Sequence, residues 1–236
     1  MTPRLKIPDA LTPHVDTLTQ SLEKSCGANL VSLCVYGSAA RGGYVAGVSD
    51  IDLVVVLHDT APEKLAALTD ALLLARHAAG VETMILRLND VAPAADVFPL
   101  FYDDIRSCHV ILSGTDVFKD VVIGDAHRRL RIEQELREAK IRMHRAVVDS
   151  AGEPGALAGF VYRKVKQIRG PLKALLGLLG TPCGDTVEDV LGAFGKKAGV
   201  ETAPLLDVHK DPGAAHACFR MVIDAAIQEA DRLEVK

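Results

Sequence analysis

The sequence predicts an α/β (α+β) chain in two parts: a small mixed sheet with helices over residues 1–120, then an all-α helical bundle over residues 121–236. Two features of patterning and one of charge lead there. Short Val- and Leu-rich runs alternate with helically spaced leucines as far as Leu112, and from Asp125 onward only helical spacing remains. The charge shifts with the pattern: residues 1–120 carry 9 Lys+Arg against 15 Asp+Glu, and residues 121–236 carry 18 against 16.

The elements follow in order. Residues 1–8, with Pro3 and Pro8, predict a loose lead-in. Asp9–Cys26 has Leu11, Val15, Leu18 and Leu22 at helical spacing and stops at Gly27. Leu30–Tyr36 and Ile51–Leu57 are apolar runs too short for helices, and both read as buried strands with a short helix beginning at Ser38 between them. Pro62–Ala79 reads as one helix with Leu65, Leu68, Leu72 and Leu73 on one side and Gly80 as its stop. Val81–Leu88 is a third strand, Val97–Cys108 a helix, and His109–Leu112 a fourth short strand. Asp125–Ser150 is a long charged helix whose apolar face is assigned to Leu130, Leu136, Ile141 and Val148. Gly155–Leu179 is a second long helix, kinked or divided at Gly170-Pro171, and Thr186–Ala198 and Pro212–Leu233 complete the bundle.

The chemistry concentrates in Val35–Leu57, VYGSAARGGYVAGVSDIDLVVVL. Alternation along a strand puts Asp50 and Asp52 on one face, where two carboxylates repel unless a cation lies between them, and oxygen ligands of this kind suit Mg²⁺. Gly37 permits backbone conformations closed to other residues, and Ser38 offers a hydroxyl and an amide to a phosphate. Gly-Ser-x-Ala-Arg-Gly followed by Ser-Asp-Ile-Asp-Leu resembles the signature of the nucleotidyltransferase superfamily, the DNA polymerase β-like fold, in its small bacterial branch of minimal and antibiotic-modifying enzymes. The resemblance covers roughly a tenth of the chain. It implies a nucleotidyltransferase catalytic domain over residues 1–120, a helical domain over 121–236 that binds the acceptor, and two Mg²⁺ ions held by Asp50 and Asp52. It also implies a third carboxylate on the next strand, which falls on Glu82 of VETMIL; Asp90, Asp103 and Asp104 are the rivals, in turn or helix contexts. Arg41, inside the glycine loop, is the candidate to touch the triphosphate beside Gly37 and Ser38.

The expected reaction is transfer of a nucleoside monophosphate from an NTP, ATP by preference, to an acceptor hydroxyl. Three acceptor readings stand: a small polyol of aminoglycoside type, a hydroxyl on a partner protein as in antitoxin-like enzymes, or no transfer at all in a nucleotide-binding interaction module. Residues 124–173, with 12 basic and 6 acidic side chains, read either as a grip on anionic nucleotide or as a solvated helix surface. Arg163, Lys166, Arg169 and Lys173 recur near one helix face, and Arg137 and His144 stand seven apart. His58 reads as a strand-end residue. Aromatic content of 4% and a net charge of −4 argue against a nucleic-acid partner. The five scattered cysteines form no metal motif and predict reduced thiols in a cytoplasm, and no apolar run approaches membrane-spanning length. Leu172–Leu179, with leucines on more than one helix face, reads either as a homodimer surface or as core buried within the monomer.

Overall fold

Ile51–Leu57 (β2) is the strand on which the first half of the molecule is built, because almost every side chain along it is buried, whichever face it points to. In the computed structural model, which describes residues 5–234, β2 lies inside a four-stranded sheet of order β3-β2-β1-β4. Leu30–Tyr36 (β1) runs antiparallel to β2 and to His109–Gly114 (β4), while Val81–Arg87 (β3) runs parallel to β2 from an edge of the sheet. The continuous apolar run of β2 therefore has its cause in two separate cores. On one face Leu33, Val35, Leu53 and Val55 meet Val15, Leu18 and Leu22 of α1 (Thr12–Cys26) and Ala75 and Ala79 of α4 (Thr69–Ala79). On the other, Cys34, Val54 and Val56 meet Tyr102 and Ile105 of α6 (Pro99–Ser107), with Phe118.

The strands begin and end close to the expected positions, and the short helix α2 is Gly37–Arg41. The expected helix over 62–79 is two elements, α3 (Pro62–Ala66) and α4, because the chain tightens at Leu68, whose N–H reaches back only to the carbonyl of Leu65 at 3.0 Å. The break turns Leu68 into the core and leaves Leu73 half-exposed, so the four leucines do not share one face. A further short helix, α5 (Leu88–Val91), follows β3. The lead-in expected to be loose is ordered from Leu5: Leu5 and Ile7 pack on the core beside α1, and its first four residues lie outside the described residues.

The chain divides into two compact units between Ile123 and Gly124. The second contains α7 (Asp125–Asp149), α8 (Pro154–Leu178), α9 (Val187–Ala198) and α10 (Pro212–Arg232), with α8 packed against the other three. Thr186 caps α9 through its hydroxyl, which accepts from the Asp189 N–H at 3.1 Å, while Asp189 accepts from the Thr186 N–H. Helix α8 runs through Gly170-Pro171 as one element, with Pro171 buried in the core. The face of α7 differs from expectation. Its buried residues are Ile132, Leu136, Ala139, Met143 and Ala146, whereas Leu130, Ile141 and Val148 are exposed. Ala and Met complete the 3.6-residue stripe there, and the more apolar side chains lie off it. In the run Leu172–Leu179, Leu172, Leu175 and Leu176 are buried in the helical unit, and Leu178 and Leu179 are half-buried.

The corrected face of α7 has a measurable consequence. Leu136→Ala should lower unfolding free energy by about 2–5 kcal/mol, while Ile141→Ala should change it by no more than about 0.5 kcal/mol. Urea unfolding of both variants checks this, and equal costs would show that the helix is rotated the other way.

Candidate active site

The ends of β1 and β2 bring Gly37 and Asp52 together. Tyr36, the last residue of β1, is paired in register with Asp52, so the next residue must turn away directly above the Asp52 side chain. Gly37 does so at φ +69°, and a Cβ placed there would collide with the Asp52 carboxylate. The glycine is thus required twice, by its backbone angle and by the oxygen beside it. Ser38 follows in the first turn of α2, half-buried.

Asp52 and Glu82 are direct neighbours in the parallel pairing of β2 and β3, which puts both on the sheet face opposite Ile51 and Val81. Asp50 lies just before β2, exposed, beside Gly80, the left-handed cap that ends α4. The Ile51 N–H donates to the Gly80 carbonyl at 3.0 Å and ties those two ends together. The three predicted carboxylates therefore share one end of the sheet. They do not share one coordination sphere: among the described residues no three His, Cys, Asp or Glu side chains form a ready metal cage. Glu82 instead pairs with Arg76 of α4 at 3.1 Å, both partners about half exposed.

Arg41 is not free at the loop. Its Nη1 is 2.5 Å from the Asp104 carboxylate, in a largely buried pair that joins α2 to α6. Asp104, weighed in the sequence only as a rival third carboxylate, is therefore part of the site through Arg41. Nothing in a separation of 63 residues announces that pair.

The electrostatics follow from this crowding. Burial first, then Asp50 and Asp104, and last Glu82 push Asp52 from the usual 3.8 up to about 6, while Arg41 pulls it back. Burial, with Asp52 and Asp104 nearby, also raises the Tyr36 phenol, which stays protonated. A cluster of carboxylates that destabilise one another, all offering oxygen, fits a hard divalent cation such as Mg²⁺, and Asp50, Asp52 and Glu82 are the residues that would hold it.

The remaining singled-out residues lie elsewhere. His58 follows β2, and its N–H donates to the Asn29 carbonyl at 3.0 Å. All five cysteines are free thiols, and burial raises Cys34 to about 12. In the helical unit, Arg137 is held by Glu133 at 2.7 Å and by Asp231 at 3.1 Å. Arg163 stacks over Phe160, Lys166 over Tyr162, and Arg169 and Lys173 meet Asp185.

Because the folded state holds the Asp52 proton more tightly than an unfolded chain would, this group's contribution is fully favourable below pH 3.8 and is lost as pH rises through about 6. Asp52→Asn should therefore melt a few degrees above wild type at pH 8 in EDTA, and the gain should shrink by pH 5. Thermal melts at both pH values check this, and identical melting at pH 8 would contradict the crowding.

The family model for the nucleotidyltransferase domain matches residues 17–142, more than half of the 236-residue chain. A search of curated proteins gave no match. Among solved structures, the chain is similar to the spectinomycin adenyltransferase AAD(9) from Enterococcus faecialis with ATP and spectinomycin, with a TM-score of 0.48 and 11% identity, over 91% of this chain and 98% of that one. No helix among the described residues is long and apolar enough to cross a membrane. A family match that runs from α1 through the glycine turn and the carboxylate strands into α7 decides the assignment: the chain belongs to the nucleotidyltransferase domain family and is a nucleotidyltransferase.

Proposed function

We propose that this enzyme transfers a nucleoside monophosphate, adenylate by preference, from an NTP to a hydroxyl of a small polyol of aminoglycoside type. The observation that carries the reading is the fit of a bare glycine turn onto Asp52, with Glu82 in register on the neighbouring strand. A turn without a side chain lets phosphate oxygens approach the backbone, and the Ser38 hydroxyl and amide donate to them. The resemblance of Gly37-Ser38 and Asp50-Ile51-Asp52 to the signature of the small bacterial branch, with its antibiotic-modifying enzymes, is the reason for preferring an antibiotic-like acceptor.

In this reading Gly37 and Ser38 orient the triphosphate, and Arg41, fixed by Asp104, lends positive charge. Asp50, Asp52 and Glu82 would hold Mg²⁺, which would neutralise the triphosphate and lower the pKa of the acceptor hydroxyl. Glu82 leaves Arg76 and takes the hydroxyl proton on a carboxylate oxygen. The acceptor oxygen bonds to the α-phosphorus, the bond from that phosphorus to the bridging oxygen breaks, and pyrophosphate departs. The helical unit, residues 124–236, supplies acceptor recognition.

Incubation with α-labelled ATP, Mg²⁺ and a panel of aminoglycosides and related polyols should label a small molecule. Label on protein alone would overturn the acceptor class. Glu82→Gln should keep nucleotide affinity while transfer falls by roughly 10²–10⁴-fold, the cost of a lost general base; transfer at the wild-type rate would remove Glu82 from that role. Gly37→Ala should abolish both binding and transfer, because its Cβ displaces the Asp52 carboxylate.

A further inference from the structure

The five residues of α2 are too few to hold a helix by themselves, and the terminal carbonyls of any helix need outside partners. Here the segment before α1 supplies them. The Lys6 N–H donates to the Ala39 carbonyl at 2.8 Å, and the Lys6 ammonium donates to the Arg41 carbonyl at 3.0 Å. The Ser38 carbonyl accepts from the N–H groups of Gly42 and Gly43 at 2.9 and 3.1 Å. Lys6 is also fitted sterically: Gly42 adopts φ +103°, and a Cβ there would lie 2.8 Å from Lys6 Cδ, so the lysine stem runs directly over that glycine. Leu5 and Ile7, on either side, pack on the same core as α1 and fix the strap at both ends.

We infer that residues 5–7 are a clamp on the Gly37–Arg41 turn, and that Lys6 is a positioning residue for the triphosphate. This rests on the proposal that Gly37 and Ser38 hold phosphate. Lys6 touches no reacting group. It acts by fixing the turn against Asp52, where a displacement of an ångström separates the phosphate donors from the carboxylates. A cationic donor at the carbonyl end of a short helix suits this task, since those carbonyls carry partial negative charge.

Lys6→Met keeps the stem over Gly42 and removes only the ammonium, and Lys6→Arg restores a donor. In hydrogen–deuterium exchange without nucleotide, Lys6→Met should speed exchange of amides 38–43 about three- to tenfold, the worth of one exposed charge-assisted hydrogen bond, with β1 and β2 at wild-type rates. The KM for Mg·ATP should rise by a similar factor, melting should stay within about 2 °C, and Lys6→Arg should recover most of both effects. Unchanged exchange in the turn would overturn the clamp. Faster exchange with an unchanged KM and nucleotide affinity would overturn the positioning role, as would a fall in kcat with unchanged KM that simply tracked lost stability. Wild-type protein that bound no Mg·ATP would sink the transferase proposal instead, while the exchange rates judge the clamp separately.

Discussion

The geometry of the carboxylate-bearing end of the sheet depends on a steric exclusion: no side chain fits at residue 37 while Asp52 keeps its place. That exclusion follows from antiparallel register, which pairs Tyr36 with Asp52 and brings the residue after β1 over the carboxylate. A slip of one residue would turn Asp52 to the other face and bring Ile51 or Leu53 to the mouth of the sheet. The doubly buried β2 prevents the slip, because its faces are claimed by two different cores. The stability of the hydrophobic layers and the placement of a charged site are thus fixed by the same register.

Much of this was legible in the sequence, for physical reasons that can be named. β1, β2 and β3 announce themselves because buried strands require unbroken apolar runs, and Gly37, Ser38, Asp50 and Asp52 lie within sixteen residues of one another, where local spacing carries information. Glu82 was reached through the family resemblance, which implies a carboxylate on the strand after Asp50-Ile51-Asp52, and the parallel register pairs it with Asp52. What the sequence hid was of two kinds. Long-range pairs such as Arg41–Asp104 leave no local trace. Helix faces were misread where hydrophobicity was taken for burial: α7 buries Ala139 and Ala146 and exposes Val148, and only packing against α8 and α10 decides between them.

The basic stretch of the helical unit also reads differently with its partners in place. Arg131–Glu135, Arg137–Glu133, Arg142–Glu138 and Arg145–Asp149 are pairs one helical turn apart. Each exposed pair of this kind stabilises its helix by only a few tenths of a kcal/mol. Their larger effect is to tie up charge, so the segment's surplus of cations is a smaller attraction for anions than its composition implies.

The Arg76–Glu82 pair gives β3 a property that a buried triad would lack. Exposed ion pairs contribute about 0–1 kcal/mol, so parting the two costs little. Arg76 loses especially little, since it lies in the last turn of α4, where the helix end itself offers compensating negative charge. Added salt screens the pair further, so ionic strength sets how often the Glu82 carboxylate is free of its arginine.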